Sequence, residues 1–364
     1  MKPSRQVLFD ISTLDPQRIT GVGIYTLELF KALERIKMDF ELIPILKISR
    51  FKRISQLQAL FPNHKIQLFK PWRFFYNKNT IYHNPDFRLS LWAPQMCRVV
   101  TIHDLLVFEN KYSDTKFDHI GQQDNKKLLL QKNPDCVLVN SDFTKNEIHK
   151  YIPEYKNKIV VTPLGCDHIL PQETTESELD LPPSFLLFVG TLELRKNICG
   201  IIDAYDKFRK LGGTQKLVLA GRYGFGQAEI EKSLNQAEFK HDILIFKELN
   251  KNKIQQLYKQ ALVFLFPSFY EGFGIPILES MRLGCPVITS SHGAMAEVAA
   301  DAALLINPND SLSFAKSILE LVNSPQERSR LIEAGLKRSQ QFTWDRCAKI
   351  TLKTYENLFA KVTL

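Results

Sequence analysis

Short, wholly apolar runs recur along the chain, and most are followed by a stretch with helical periodicity. Gln6-Val7-Leu8-Phe9-Asp10 predicts a first strand. Gly21-Val22-Gly23-Ile24-Tyr25 then opens an amphipathic helix with apolar positions at Ile24, Leu27, Leu29, Phe30 and Leu33. Further strands are predicted at 99–102, 136–139 and 158–162, with a polar helix near 116–132 and a helix-opening cap at Asn140-Ser141-Asp142. After residue 183 the alternation restarts, with strands at 185–190, 216–221, 243–246, 261–266, 284–289 and 303–306. Two helices follow, the last around 344–361. Runs without polar alternation suit strands covered on both faces. Strands alternating with helices twice over predict an α/β protein of two doubly wound parallel sheets facing a cleft.

The two series are separated by residues 168–183, which are acidic, contain prolines and lack apolar periodicity, as an interdomain linker does. Domains over 1–170 and 182–342 follow, and 364 residues suffice for two separate cores. A composition of 44% hydrophobic and 24% charged residues excludes a disordered or low-complexity chain. The six cysteines are scattered, form no C-x-x-C pair and sit mostly in apolar surroundings. They read as reduced core thiols of a cytoplasmic protein, with neither a disulfide framework nor a zinc site. Met1-Lys2-Pro3-Ser4-Arg5 leads into a strand too short for a signal-peptide core, and no apolar run approaches a membrane span, so the chain is expected to stay inside the cell.

A net charge of +9 implies acidic partners, whether nucleotide, nucleic acid or anionic lipid. Part of the excess lies between 47 and 78, where Lys47, Arg50, Lys52, Arg53, Lys65, Lys70, Arg73 and Lys78 alternate with Phe51, Phe61, Phe69, Trp72, Phe74, Phe75 and Tyr76. That interleaving suits peripheral contact with an anionic membrane surface, and it equally suits a solvated face over inward-packed rings.

The stretch densest in chemistry runs from Ser268 to Ser280 and joins two predicted strands. Pro276 suits a first helical position and Gly284 a left-handed cap, so a short helix over 276–283 is expected. Glu271 then lies in the loop and Glu279 in the helix. Gly272 and Gly274 carry no side chain to block approach, so the N–H groups of Gly272-Phe273-Gly274-Ile275 can face a phosphate ester. Glu271 and Glu279 cannot be phosphate ligands and suit ligand hydroxyls instead. A ligand both phosphorylated and rich in hydroxyls is a sugar nucleotide. The alternative is plainer: a first-turn acid and a solvated loop residue.

Three other places hold candidates. Arg195-Lys196 follows a strand and a glycine, a basic pair that offers diphosphate a fork and a point charge. His103-Asp104 ends the strand 99–102, at the edge where doubly wound sheets bind ligands, although a lone histidine there is commonly structural. Thr20-Gly21-Val22-Gly23 is read as a small-residue loop that backbone and ligand can share, or as a tight turn.

Glu271 and Glu279, flanking Gly-Phe-Gly and Pro, resemble the retaining glycosyltransferases of glycosyltransferase family 4. Thr-Ile-His103-Asp104-Leu, Pro163-Leu164-Gly165-Cys166-Asp167 and the basic turn Arg195-Lys196 are similar to motifs of the same family. The resemblance implies the GT-B fold, with the helix 343–364 returning to the first, acceptor-binding domain. It implies that His103 and Glu271 hold the donor sugar, Glu279 the ribose, and Arg195, Lys196 and the 272–275 backbone the diphosphate. Phe246, Lys247 and Leu249 fall where the family holds the nucleobase, largely through backbone groups. Gly21, Gly23 and Asp104 fall at the acceptor side. One departure is Thr191, where many members carry an arginine after the glycine.

The expected activity is metal-independent, retaining transfer of a sugar from a nucleotide donor to a glycan or lipid-linked acceptor in cell-surface polysaccharide synthesis. No Asp-x-Asp pair stands in a suitable loop, in keeping with a reaction that needs no metal cofactor. The departing phosphate would take the acceptor's proton. Gly-Thr-Leu-Glu-x-Arg-Lys-Asn looks like bacterial polysaccharide mannosyltransferases and favours GDP-mannose over UDP- or dTDP-sugars. Two other readings stay open: another sugar-nucleotide enzyme such as a hydrolysing epimerase or a phosphorylase, and a non-catalytic anionic-ligand binding protein. Nucleic acid is not an expected partner.

Overall fold

The structure is a computed structural model that describes residues 5–16, 20–69, 79–87, 96–109, 121–169 and 179–363. It contains two compact units: residues up to Phe108 with Ile120–Gly165 and Thr343–Leu364, and a second unit that includes Cys166–Phe342.

In the first unit, β1 (Gln6–Asp10), β2 (Glu41–Lys47), β3 (Gln67–Phe69), β4 (Thr80–Asn84), β5 (Cys97–Ile102), β6 (Cys136–Val139) and β7 (Ile159–Val161) form one sheet in the order β3-β2-β1-β4-β5-β6-β7. In the second, β8 (Phe185–Val189), β9 (Lys216–Ala220), β10 (Ile243–Phe246), β11 (Val263–Phe266), β12 (Val287–Ser290) and β13 (Leu304–Ile306) follow the order β10-β9-β8-β11-β12-β13. Every described pairing is parallel. The chain reverses direction across each sheet beside its first strand, between β1 and β4 and between β8 and β11, which opens a crevice at the carboxyl ends.

The wholly apolar runs are the central strands. Val7, Leu8 and Phe9 of β1 and Val263 to Phe266 of β11 are fully buried, each large side chain contributing roughly 1.5–3 kcal/mol. Burial also pushes the thiols of Cys97, Cys136, Cys166 and Cys285 up to about 12, which makes them poor nucleophiles.

The helix Trp344–Thr363 completes the first unit with buried Trp344, Cys347, Tyr355 and Phe359. The turn at Gly165 is packed against it so closely that a Cβ would stand 2.3 Å from the Trp344 backbone nitrogen. A glycine is required there because the neighbouring atom is main chain.

Two expectations change. The helix expected to open at Gly21 does so, as Gly21–Glu34, but Thr20 to Gly23 is then its cap and first turn and not a loop, with Thr20 accepting from Gly23 N at 3.2 Å. The cap supplies the donor's partner, so two glycines do not break the helix. His168 and Ile169, read as linker, are packed into the second unit, where Lys251 Nζ donates to the His168 carbonyl (2.7 Å) and Arg282 Nε to that of Ile169 (3.0 Å). Among the basic and aromatic residues, Phe61 and Phe69 are core, while Phe51 is 53% and Ile48 42% exposed. Lys70, Trp72, Arg73, Phe74, Phe75, Tyr76 and Lys78 lie outside the described residues, as does the start expected for the polar helix, which is described from Gln122 to Lys132.

Candidate functional site

The crevice between β8 and β11 gathers most of the candidates. Beyond β8 the chain passes Gly190, turns through the 3-10 helix Leu194–Lys196, and enters the helix Ile198–Lys210 through Asn197, which takes φ 60°. Beyond β11 it runs through Ser268 to Gly274 and enters the helix Ile275–Arg282. A backbone hydrogen bond from Phe269 N to Arg195 O (2.7 Å) ties the two loops together.

Arg195 is engaged by two carboxylates and a carbonyl. Its Nε donates to Glu193 Oε2 at 2.7 Å, and its Nη1 lies 2.9 Å from Glu271 Oε2 and 3.3 Å from the Tyr270 carbonyl. With both side chains mostly buried, the pair fixes the Glu271 carboxylate in one orientation. Glu271 Oε1 is buried without a hydrogen-bond partner, and so is Ser268 Oγ three residues earlier. A carboxylate oxygen and a hydroxyl buried and unsatisfied in one loop are what a hydroxyl-bearing ligand would satisfy.

Lys196 is 8% exposed, and burial lowers its pKa, with the negative charge of Glu271 acting in the opposite sense. Its ammonium lies 5.8 Å from the ring centroid of Phe266 and occupies the space over Gly190, where a Cβ would come within 2.6 Å of Nζ. Gly190 also takes φ +141°, so both conformation and close approach call for glycine. A desolvated cation gains much from an anion placed beside it.

The glycine-rich loop takes the backbone that its residues predicted. Gly274 sits at φ +95° as the N-cap of the helix Ile275–Arg282, Phe273 packs edge-on against Phe342 at 5.8 Å, and Pro276 occupies the first turn. Glu279 lies in this helix, 7% exposed, with His168 Nε2 3.2 Å from Oε1 and the Tyr258 hydroxyl 3.3 Å from Oε2. It is thus a buried, partnered carboxylate and not a first-turn acid at a solvated surface. Burial, then the charge of Glu279, raises the Tyr258 phenol well above its ordinary value, so it stays a donor.

At the end of β10, the Phe246 carbonyl accepts from Gly221 N at 2.8 Å. Lys247 is exposed, with Nζ 5.4 Å from the Tyr223 ring centroid, and Leu249 is half-buried.

In the first unit, His103 stands at the carboxyl end of β5, half-buried and edge-on to Tyr25 with ring centroids 4.7 Å apart. Its Nε2 is 2.8 Å from the Pro85 carbonyl, which can only accept, so Nε2 carries the proton. Below it runs a buried chain of polar groups: Tyr25 hydroxyl to Thr101 (2.8 Å), Thr101 to His83 Nε2 (3.0 Å), and His83 Nδ1 to the Tyr355 hydroxyl (2.5 Å). Asp104 Oδ1 accepts from Leu106 N at 3.1 Å and so caps the short turn Leu106–Phe108. Gly21 is exposed and Gly23 buried at the start of the helix that carries Tyr25.

Sequence reasoning missed Glu193, Ser268, His168 and Tyr258. Glu193 had a signal, an acid two residues before an arginine in a turn. His168 and Tyr258 had none, because they meet Glu279 only through the fold. Among the described residues, no group of three or more His, Cys, Asp or Glu is placed to hold a metal ion.

Residues 171–338 match the family model described as glycosyl transferases group 1. The chain is 28% identical, over 93% of its length and 97% of the other's, to the O-antigen chain mannosyltransferase B of Escherichia coli. Among solved structures it resembles sucrose-phosphate synthase from Thermosynechococcus elongatus, with a TM-score of 0.73 and 20% identity over 98% of this chain and 100% of that one. It also resembles HepE of Anabaena in complex with UDP and glucose, with a TM-score of 0.75 and 15% identity over 97% and 100% of the two chains. Residues 171–338 are therefore a glycosyl transferases group 1 domain, and the chain, homologous to an O-antigen mannosyltransferase over nearly its whole length, is a glycosyltransferase with the GT-B fold.

Proposed function

We propose that the chain transfers mannose from GDP-mannose, with retention and without a metal, to a glycan or lipid-linked acceptor in the synthesis of an O-antigen-like polysaccharide. The observation that carries this reading is Glu271, whose Oε2 is pinned by Arg195 and whose buried Oε1 waits for a donor hydroxyl. Mannose is supported by the relative named as a mannosyltransferase. A nucleotide-sugar donor is supported by the neighbour solved with UDP and glucose.

In this reading Arg195 orients Glu271, and Lys196 with the N-terminus of the helix Ile275–Arg282 neutralises the leaving diphosphate. Glu279 receives the ribose, and the departing phosphate takes the acceptor's proton. His103, at the carboxyl end of β5 with Nε2–H donated to the Pro85 carbonyl, is assigned to the donor sugar. Among the described residues no helix is long and apolar enough to cross a membrane. Contact with a lipid-borne acceptor falls instead to exposed Ile48 and Phe51 beside Lys52, on the cytoplasmic face.

The test is a thermal-shift series with GDP, UDP, dTDP and ADP, with and without EDTA, followed by donor turnover. GDP at about 100 times its dissociation constant should add roughly 2.7 kcal/mol of stability whether or not EDTA is present. Stabilisation by UDP alone would overturn the donor. Turnover that depends on phosphate and needs no acceptor would overturn transfer in favour of a phosphorylase.

A further inference from the structure

Two side chains that no sequence motif connects to Glu279 stand against its carboxylate, Tyr258 through a hydrogen bond and His168 at ion-pair distance without hydrogen-bond alignment. Tyr258, from the helix Lys251–Gln260, donates to Oε2 at 3.3 Å. His168 presents Nε2 at 3.2 Å from Oε1, and its side chain is 5% exposed. The segment that carries the imidazole is fastened at two successive carbonyls. Lys251 Nζ holds the His168 carbonyl at 2.7 Å, and Arg282 Nε holds that of Ile169 at 3.0 Å. Arg282 belongs to the same helix as Glu279, so the element that carries the carboxylate also fixes the backbone that presents the imidazole to it.

A carboxylate has about four lone-pair sites on two oxygens. One neighbour on each oxygen limits rotation of the group and leaves sites on both oxygens for a vicinal diol, which needs two acceptors at a set spacing. Without those neighbours a buried carboxylate would turn toward whatever donor is nearest, and each ligand hydroxyl would have to reorder it.

We infer that His168 is a positioning residue for the nucleotide ribose, holding Glu279 so that both of its oxygens receive the ribose hydroxyls. The inference rests on the assignment of Glu279 to the ribose above. It gives the residue next after the Pro163-to-Asp167 turn a part in donor selection, and it makes the ribose site a product of three separate segments of the second unit.

The experiment compares the full-length protein with His168→Leu and His168→Gln, measuring affinity for GDP against 2′,3′-dideoxy-GDP, with UDP and 2′,3′-dideoxy-UDP as a second pair. The parent should prefer the full ribose by on the order of tenfold or more, the scale of hydrogen bonds to a charged group. His168→Leu should lose most of that preference, whereas His168→Gln, which returns a donor near the position of Nε2, should keep it. A residue that merely fills space would weaken both members of each pair alike and leave their ratio unchanged. An unchanged ratio in His168→Leu therefore overturns the inference while the ribose assignment stands. A parent without preference, or without affinity for either diphosphate, overturns the ribose assignment and this inference with it. Should His168→Leu fail to fold, His168→Met takes its place: the ratio must fall in His168→Met and hold in His168→Gln, and a ratio unchanged in His168→Met overturns the inference.

Discussion

The guanidinium of Arg195 meets Glu271 Oε2 at 2.9 Å, so the residue expected to grip the diphosphate also touches the carboxylate expected to grip the sugar. Glu193 closes the arrangement from the other side at 2.7 Å. Two acids around one arginine leave that trio with one negative charge, which Lys196 in the same turn balances.

Glu271→Gln keeps the volume and one hydrogen bond but removes the charge that Arg195 pairs with. Turnover should fall by roughly 100- to 1,000-fold, the scale of losing one preorganised polar group, while the urea midpoint stays near that of the parent. Near-normal turnover would remove Glu271 from the reaction.

Arg195→Gln should act on stability as well as activity. It leaves Glu193 and Glu271 mostly buried side by side without their shared cation. The cost is on the order of 2 kcal/mol, visible as a lower urea midpoint at neutral pH. Restoration of the midpoint by a second change, Glu193→Gln, would show that the loss is one of charge balance.

Gly190→Ala places a methyl group 2.6 Å from Lys196 Nζ and demands φ +141° of an alanine. The ammonium must move, and donor diphosphate affinity should drop by about tenfold, as expected for a displaced charge-assisted contact. The thermal shift produced by the diphosphate reads this directly. An undiminished shift would place the phosphates elsewhere.

His83 gives the first unit a pH dependence whose sign can be worked out. Burial, followed by the nearby charge of His103, holds its pKa down to about 3, so the folded protein keeps it neutral while the unfolded chain protonates it near its ordinary value. The stability it contributes is therefore complete above about pH 6.5 and is lost as pH falls toward 3, at about 1.4 kcal/mol per unit. His83→Gln should show a flatter decline of the urea midpoint between pH 6.5 and 4 than the parent does.

Phe51→Glu tests the membrane surface. Burying such a ring is worth roughly 1.5–3 kcal/mol, so binding to vesicles containing anionic lipid should weaken at least tenfold without loss of GDP binding. Equal vesicle binding by parent and variant would leave Phe51 and Ile48 as ordinary exposed residues.

The strands were legible because a parallel sheet covered on both faces leaves runs such as Phe185 to Val189 with no polar alternation. The loop at Gly272 and Gly274 was legible because proline and glycine restrict the backbone locally. The helix opening at Gly21 was legible from the apolar spacing that follows, whereas the loop reading of Thr20 to Gly23 failed because the cap on Thr20 draws both glycines into the first turn. Beyond local rules the site was opaque. Nothing in the spacing of His168 and Glu279 announces their contact, and the pairing of Arg195 depends on two loops that meet only after both halves of a sheet have formed.

The closing helix from Trp344 to Thr363 bears on the order in which the protein can be made. Its Tyr355 hydrogen-bonds His83, 272 residues earlier, and Trp344 lies against the Gly165 turn. The part of this unit made before residue 166 must therefore wait, with Tyr25 and His83 uncovered, until residues 344–363 emerge. The continuous stretch 166–342 can meanwhile close on itself. Nascent chains halted before Trp344 would present a finished second half and an unsealed first, the half that a chaperone has reason to hold.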